Sequence, residues 1–243
     1  MRIPRVFYPL SNIELGTVHA LDATLSHYLL NVLRMKTGDA LLCCAGNNWV
    51  YPSVISSIVK KQVVITLLSA EYKSVESPLT LHLGQVISKG DRMEYSIQKA
   101  IELGVQTITP LFSERCVVSL NAERLSKKIQ HWQLIANSAS EQCGRNMLTP
   151  IHEPETLSTW VEKNQAQTAL VLNPTANATL KSITIESNVN ILIGAEGGLT
   201  TNEIALAEKN KFISVQLGPR ILRTETAPLA IITALQVLKG DLA

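Results

Sequence analysis

Residues 218–228 read GPRILRTETAP, and they separate a short apolar stretch, Phe212–Leu217, from a longer one, Leu229–Leu238. The first stretch is typical of a strand. The second is apolar on nearly every face, which predicts a helix buried in a core or an interface. Pro228 suits the first turn of that helix, and Thr226 is a candidate N-cap. Two arginines and a glutamate thus follow a core strand, at the sheet edge where open α/β folds bind ligands.

The same arrangement occurs just upstream in the chain. A short apolar strand, Val189–Ile193, runs into GAEGG at residues 194–198. Thr200 and Glu203 have the spacing of a capping box, which predicts a helix ending near Lys209. If the two strands are neighbours, the glycine-rich and arginine-rich loops form opposite walls of one pocket.

The chain from residue 79 onward alternates strands with helices. We expect strands at Leu79–Ile87, Thr107–Phe112 and Thr168–Leu172. A helix after the first of these is predicted to begin at an Asp91 N-cap, and a long amphipathic helix is predicted at Ala122–Cys143. This pattern predicts an α/β domain with a parallel sheet covered by helices.

Residues 1–72 are β-rich and show no such alternation. Strands are expected at Val6–Tyr8, Ala40–Cys44, Trp49–Ile58 and Gln62–Leu68, with a helical patch at His27–Leu33. This composition favours a barrel or meander. The polar stretch 71–78, which ends in proline, is the best linker candidate. We therefore expect two domains, 1–72 and 73–243.

Composition narrows the class of protein. The chain has 243 residues, 46% of them hydrophobic, and a net charge of +2 that is carried by residues 1–72 and is too small to identify a nucleic-acid partner. The four cysteines have neither CxxC nor zinc-ligand spacing. Neither a membrane span nor a signal peptide is apparent. We expect a reduced cytoplasmic protein without a metal.

Two motifs carry a family resemblance that extends over nearly the whole chain. IGAEGGLTTNEIALA (193–207) and LGPRILRTETAPLAIITALQ (217–236) resemble the signatures of the RsmE family, SPOUT-superfamily enzymes that methylate N3 of a uridine in 16S ribosomal RNA. The family usually has proline where this chain has Ala195. HYLLNVLRMKTGDAL (27–41) is similar to the family's PUA-like amino-terminal domain, which is thought to help hold RNA.

The resemblance implies a fold and a cofactor. The fold is a SPOUT-type parallel sheet with a carboxyl-terminal trefoil knot, preceded by a small PUA-like β-barrel; pattern alone would favour an unknotted doubly wound sheet. The cofactor is S-adenosylmethionine, bound bent by three loops, and the implied assembly is a homodimer. The implied cofactor-binding residues are Leu172, Asn173, Pro174, Gly194, Glu196, Gly197, Gly198, Leu217, Gly218, Ile221, Leu222, Thr226 and Ala227.

Arg223 and Glu225 are the candidate catalytic residues. Uracil N3 must lose its proton before methylation, and the resulting charge spreads onto the flanking carbonyl oxygens. A cationic donor such as Arg223 would stabilise that charge. Glu225 is expected to orient the arginine or to accept the proton. The alternative is that the two form a structural pair that braces the loop.

Several polar residues are candidates for contact with 16S rRNA. Arginine binds phosphate oxygens well, although Arg5 and Arg34 are equally explained as surface charges paired with Asp22 or Asp39. Lys89 and Arg92 lie in KGDRMEYSIQKAIELG (89–104), which resembles a family segment near the RNA-facing cleft, although a solvated helix face is the usual explanation for such charges. The polar residues of 137–145 resemble a family motif, although helix-end capping explains some of them. The full set of RNA candidates is Arg5, Arg34, Lys36, Lys89, Arg92, Asn137, Glu141, Gln142 and Arg145.

Two other functions compete with an RNA methyltransferase. One is a non-catalytic RNA-binding ribosome-assembly factor with a vestigial pocket, which the intact glycines and arginine motif disfavour. The other is a Rossmann-type oxidoreductase, which the missing G-x-G-x-x-G disfavours.

Overall fold

The structure, a computed structural model, describes residues 3–9, 14–116, 121–163 and 166–242. It divides into two compact units, Met1–Glu76 with Ser140–Leu148, and Ser77–Ala139 with Thr149–Ala243.

The first unit is a mixed six-stranded sheet. Its elements are β1 (Arg5–Phe7), β2 (Val18–Ala20), α1 (Ala23–His27), a π-helical turn (Tyr28–Val32), β3 (Ala40–Cys44), β4 (Trp49–Val59), β5 (Gln62–Leu67) and β6 (Glu71–Tyr72). Strand β1 pairs in parallel with β3, and every other pairing is antiparallel, in the order β1-β3-β4-β5-β2 with β6 on β4. Helix α1 continues directly into the π-helical turn. The β-rich fold expected for this region is confirmed.

The segment Ser140–Leu148 belongs to the first unit although it is distant in sequence. The Arg145 guanidinium pairs with the Glu76 carboxylate, with Nε to Oε1 at 3.0 Å. Arg5 donates to the carbonyl of Gly144 at 2.6 Å and to the side chain of Asn146 at 2.5 Å. The linker predicted at 71–78 is therefore wrong in its first part, because residues 71–72 form β6 and Glu76 is held by a buried arginine.

The second unit is an α/β fold whose sheet is entirely parallel, as the alternation of strands and helices predicted. Its strands are β7 (Thr80–Val86), β8 (Thr107–Phe112), β9 (Glu155–Thr156), β10 (Thr168–Leu172), β11 (Asn188–Ile193) and β12 (Ile213–Val215). The strand order is β12-β10-β11-β7-β8-β9. Its helices are α2 (Arg92–Glu102), α3 (Ala122–Cys143, whose last residues lie in the first unit), α4 (Leu157–Lys163), α5 (Thr201–Lys209) and α6 (Thr226–Lys239).

Two of the three predicted helix caps occupy their predicted positions. The capping box of α5 is confirmed, since Thr200 Oγ1 accepts from the amide of Glu203 and Glu203 accepts from the amide of Thr200. Asp91 occupies the N-cap position of α2 as predicted, but its side chain makes no capping hydrogen bond. Glu225, rather than Thr226, occupies the N-cap position of α6, so that helix begins one residue earlier than a Thr226 cap would place it.

Both faces of the parallel sheet are covered by apolar side chains. One face packs against α2, α3 and α6 through residues such as Ile97, Trp132 and Ile231, and the other against α4 and α5 through Trp160 and Ala207. No helix within the described residues is long and apolar enough to cross a membrane. The four cysteines are free, with Cys43 and Cys44 buried.

Candidate functional site

The carboxyl ends of β12, β10 and β11 meet at one edge of the sheet. These three strands are neighbours, with Leu172 opposite Val215 and Val171 opposite both Leu192 and Ser214. Because the strands are parallel, the loops that follow them leave from the same edge. The structure therefore brings together the three segments predicted to hold the cofactor: 172–174, 194–198 and 217–227.

The glycine-rich loop makes a tight turn against its own backbone. The amide of Gly198 donates to the carbonyl of Ala195 at 2.9 Å. A Cβ at Gly194 would lie 2.9 Å from the carbonyl carbon of Gly198, so the turn needs glycine there. Gly198 has φ +67° and faces open space, and Arg115 donates to the carbonyl of Gly197 at 2.9 Å. Ala195, at the family's proline position, is buried.

The other two loops are also shaped by local contacts. Asn173 Oδ1 accepts from both the amide and the hydroxyl of Thr175, and Gln216 donates to the carbonyl of Pro174 at 2.8 Å. In the third loop, Gly218 has φ +76° and open space around it. Leu217, Leu222 and Ala227 pack on the core, whereas Ile221 is 85% exposed and Thr226 is exposed.

A buried chain of hydrogen bonds connects the arginine-rich loop to the sheet. Thr224, which is 5% exposed, donates from Oγ1 to the carbonyl of Gly194 at 2.8 Å. Gln85 at the end of β7 donates to Thr224 Oγ1 at 3.2 Å. The Oε1 of Gln85 and the hydroxyl of Ser88 are buried without a hydrogen-bond partner in the described residues. Sequence reasoning missed Gln85, although a glutamine in a strand as apolar as β7 was a signal.

Charged groups cluster beside the glycine-rich loop. Glu196 accepts from Arg92 Nη1 at 2.7 Å and from the amide of Lys89 at 2.9 Å. Desolvation of the Glu196 carboxyl would raise its pKa, but backbone hydrogen bonds, including that from Lys89, and the Arg92 guanidinium outweigh it, so the pKa is lowered. Glu196 is therefore ionised at neutral pH and fastens the loop to the start of α2.

Arg223 and Glu225 do not form an ion pair with each other among the described residues. The carboxylate of Glu225 instead lies 3.8 Å from Arg92 Nε, which is too long for a hydrogen bond, and its Oε2 is buried without a hydrogen-bond partner. The side chains of Arg220 and Arg223 are exposed and make no hydrogen bond or ion pair with the described residues. The bracing pair considered from sequence is thus not observed.

The candidate RNA-contact residues fall into two groups. Arg34, Lys36, Lys89 and Arg92 are exposed. Asp22 and Asp39, considered as partners for arginine, instead accept from the amides of Leu25 and Lys36.

Most residues in the second group of RNA candidates bind other residues of the protein. Arg145 is 4% exposed and pairs with Glu76, and Arg5 binds the segment around Gly144. Glu141 accepts from the amide of Phe7 at 3.0 Å; desolvation raises the pKa of its carboxyl, partly offset by that bond and by Arg5. These three side chains hold the first unit together. Asn137 accepts from Gln133 at 2.9 Å, and Gln142 is exposed.

The fold and the loop cluster define a class, that of RNA methyltransferases. The sequence profile described as an RNA methyltransferase domain matches residues 75–236, and that described as an RNA methyltransferase PUA domain matches residues 21–68. A methyltransferase from Legionella pneumophila, solved with bound S-adenosylmethionine, superimposes with a TM-score of 0.96 at 37% identity over all of both chains.

Individual relatives narrow that class. Ribosomal RNA small subunit methyltransferase E of Buchnera aphidicola is 43% identical over 100% of this chain and 99% of the relative. The enzyme of that name from Neisseria gonorrhoeae, solved with S-adenosylmethionine, has a TM-score of 0.92 at 35% identity and full coverage of both chains. The chain belongs to the ribosomal RNA small subunit methyltransferase E family.

Proposed function

We propose that this protein transfers the methyl group of S-adenosylmethionine to N3 of a uridine in 16S rRNA of the small ribosomal subunit. The observation that carries the proposal is the meeting of three loops at the carboxyl ends of β12, β10 and β11, one of them bearing Arg223, whose side chain is exposed and has no partner among the described residues. The names of the relatives and the cofactor bound in two of the similar structures support the same conclusion.

The residues at this edge fit S-adenosylmethionine. Its adenine and ribose need specific hydrogen bonds and close backbone approach rather than a strong counter-charge. Gly198 and Gly218 offer positive-φ backbone facing open space, and the buried Oε1 of Gln85 is an unused acceptor. We assign the cofactor to the loops 172–174, 194–198 and 217–227. When bound, it supplies an electrophilic methyl group on a cationic sulfur.

The residues of the chain then have three tasks. The loops fix the position of the reacting groups, which removes much of the entropic cost of bringing them together. Arg223 donates to a uracil carbonyl oxygen and stabilises the charge that develops there. Glu225, whose Oε2 has no hydrogen-bond partner among the described residues and lies 3.8 Å from Arg92 Nε, is the candidate acceptor of the N3 proton.

The test is methyl transfer to 16S rRNA by Arg223→Ala and Glu225→Gln, with cofactor binding measured separately by calorimetry. Removing a preorganised cationic donor is expected to lower kcat about 100- to 1,000-fold, while cofactor affinity is retained. Arg220→Ala, which removes another exposed, unpaired arginine from the same loop, is the matched control and should stay near wild type. Near-normal turnover of both first variants would refute these roles.

The substrate has its own test. Mass mapping of modified uridines in 16S rRNA from cells lacking the gene should show the loss of one N3-methyluridine. Restoring the gene should restore it, and an unchanged modification map would contradict the substrate. Because ribosomal RNA is the partner, we propose that the protein acts in the cytoplasm, with the exposed cations Arg34, Lys36, Lys89 and Arg92 contacting RNA phosphates.

We propose that the carboxyl-terminal part of the chain is tied in a trefoil knot. Strand β12 lies at the sheet edge beside β10, yet Thr224, nine residues beyond Val215, binds the carbonyl of Gly194 after β11 and the side chain of Gln85 near the end of β7. The chain must therefore pass back across β10 before α6 begins. An experimental structure whose backbone contains no knot between its two termini would exclude this proposal.

We also propose that the protein is a homodimer through α6. Ile231, Ile232 and Leu235 bury one side of this helix, but Val237 and Leu238 are about half exposed, as is Leu242 beyond its end. Exposed apolar side chains grouped in this way are typical of an interface. Light scattering should give twice the 26.6 kDa chain mass. A monomer at working concentration would contradict the dimer.

A further inference from the structure

A cavity of about 530 Å³ lies in the first unit, away from the three loops. Helix α1 and the π turn supply His27, Leu30 and Asn31 to its lining, and the turn between β4 and β5 supplies Lys60 and Lys61, with Gln62 beside them. Its volume is in the range of sites that hold small ligands. We call it the lysine pocket.

The two lysines occupy a backbone conformation that lysine disfavours. Val59 pairs with Gln62, so Lys60 and Lys61 are the central residues of a two-residue hairpin turn, with φ of +49° and +68°. Such turns favour Asn-Gly, because both positions need positive φ. A left-handed lysine costs on the order of 1–2 kcal/mol. The stability of the hairpin therefore does not explain why lysines stand here, and strain of this kind tends to mark functional positions.

The lysine pocket is cationic and has unused hydrogen-bond acceptors. Lys60 and Lys61 are exposed, and no carboxylate among the described residues forms an ion pair with either. The amides of Asn31 and Gln62 donate to the carbonyls of His27 and Leu21, which leaves the two amide oxygens available. Leu30 adds an apolar surface to the pocket, and the imidazole of His27 adds a planar ring on which a base can stack. A nucleobase next to phosphate groups is complementary to this combination.

We propose that the lysine pocket binds one unpaired nucleotide of the RNA substrate. The base enters the cavity, where an exocyclic amino group can donate to Asn31 or Gln62, and the flanking phosphates are bound by Lys60 and Lys61. The proposal rests on the proposed function, because it takes ribosomal RNA as the partner. It adds a subsite for a nucleobase in the first unit to the phosphate contacts proposed there for Arg34 and Lys36.

The decisive variant is the double substitution Lys60→Asn/Lys61→Gly in the full-length protein. It replaces the strained turn with the pair that type I′ turns favour, so the melting temperature should rise. Affinity for a labelled single-stranded RNA oligonucleotide should fall. The slope of log K against log salt should decrease by about 1.4, since each phosphate contact on a single strand contributes about 0.7. Higher stability with weaker binding separates a lost contact from a damaged fold.

Two further variants isolate the parts of the site. Lys209→Asn/Lys211→Gly removes two exposed lysines from the end of α5, one of them also at positive φ (+67°), and should leave RNA affinity unchanged. Ala23→Phe fills the cavity, which Ala23 lines, and keeps both lysines. It should weaken binding without changing the salt slope. The proposal would be overturned if Lys60→Asn/Lys61→Gly and Lys209→Asn/Lys211→Gly lost RNA affinity equally. It would also be overturned if Ala23→Phe bound RNA with wild-type affinity.

The readouts distinguish this proposal from the proposed enzymatic function. With rRNA as substrate, Lys60→Asn/Lys61→Gly should raise KM and leave kcat and cofactor affinity unchanged. If the wild-type protein binds RNA through the lysine pocket but methylates no rRNA, the proposed methyltransferase function is refuted and the proposed RNA subsite is supported. If an acidic peptide binds the lysine pocket and the RNA does not, the assigned partner is wrong.

Discussion

At the residue scale, the side chain of Thr224 connects three separate segments of the second unit. Its single hydroxyl accepts from Gln85 and donates to the carbonyl of Gly194, so it joins β7, the glycine-rich loop and the arginine-rich loop. It follows Arg223 directly in the chain. Whatever fixes Thr224 therefore also fixes the backbone from which the candidate catalytic side chain extends.

Thr224→Val tests this role, because valine keeps the shape and removes both hydrogen bonds. A buried carbonyl left without its partner costs about 1–3 kcal/mol, so the free energy of unfolding should decrease by that amount in a denaturant titration. Cofactor affinity should also fall, since two of the three loops lose their connection. Thr233→Val, at an exposed position on α6, is the control and should change neither quantity. Unchanged cofactor affinity in Thr224→Val would show that the loops are held independently.

At the element scale, strand β7 and helix α4 pack with no room to spare. A Cβ at Gly84 would lie 2.6–2.8 Å from three ring carbons of Trp160, which is fully buried. Gly84→Ala is expected to destabilise the second unit by about 1–3 kcal/mol through overpacking. Adding Trp160→Phe should recover part of that loss, and thermal unfolding of the single and double variants measures the coupling. If the effects of Gly84→Ala and Trp160→Phe on stability are strictly additive, the new methyl group is accommodated by a shift of the backbone and not by the Trp160 ring.

The elements also show what the sequence could predict. Strands Thr107–Phe112 and Thr168–Leu172 match their predicted bounds because short apolar runs indicate buried strands, and the helix Ala122–Cys143 matches because its amphipathic pattern extends over 22 residues. Among the elements that sequence reasoning missed, β9 has two residues, neither apolar, and α4 has seven, fewer than the roughly 11 over which a helical period can be recognised. Strand-end geometry predicted that the glycine-rich and arginine-rich loops meet, whereas the third loop, 172–174, was implied by the family resemblance. The approach of Arg92 to Glu225 did not, because residues far apart in sequence leave no local spacing to detect.

At the scale of the whole molecule, His82 is expected to limit stability in acid. The centroid of its imidazole lies 5.3 Å from the ring centroid of Trp160, and its Nε2 lies 2.8 Å from Thr109 Oγ1. Burial, with a contribution from His152, lowers its pKa from 6.5 to about 4. The unfolded chain therefore takes up a proton at higher pH than the folded protein. The stabilisation is complete above pH 6.5 and is lost as the pH falls toward 4.

The loss corresponds to about 3.5 kcal/mol at most, because the pKa of His82 falls from 6.5 to about 4 and each pKa unit is worth about 1.4 kcal/mol. His82→Gln should flatten the dependence of the unfolding free energy on pH across this window. His19→Gln, which removes a histidine from the first unit, should retain the wild-type slope. Parallel curves for wild type and His82→Gln would assign the acid sensitivity to other groups.

The discontinuous first unit has a consequence for biosynthesis. Because Arg145 and Asn146 complete contacts begun by Arg5, Lys73 and Glu76, this unit lacks part of its own chain until residue 148 has been translated. At ribosomal speeds of about 5–20 residues per second, the delay after residue 76 is roughly 4 to 14 seconds. During that interval the nascent amino-terminal sheet lacks the segment 140–148, so the first unit cannot be completed until residues 77–139 of the second unit have been made.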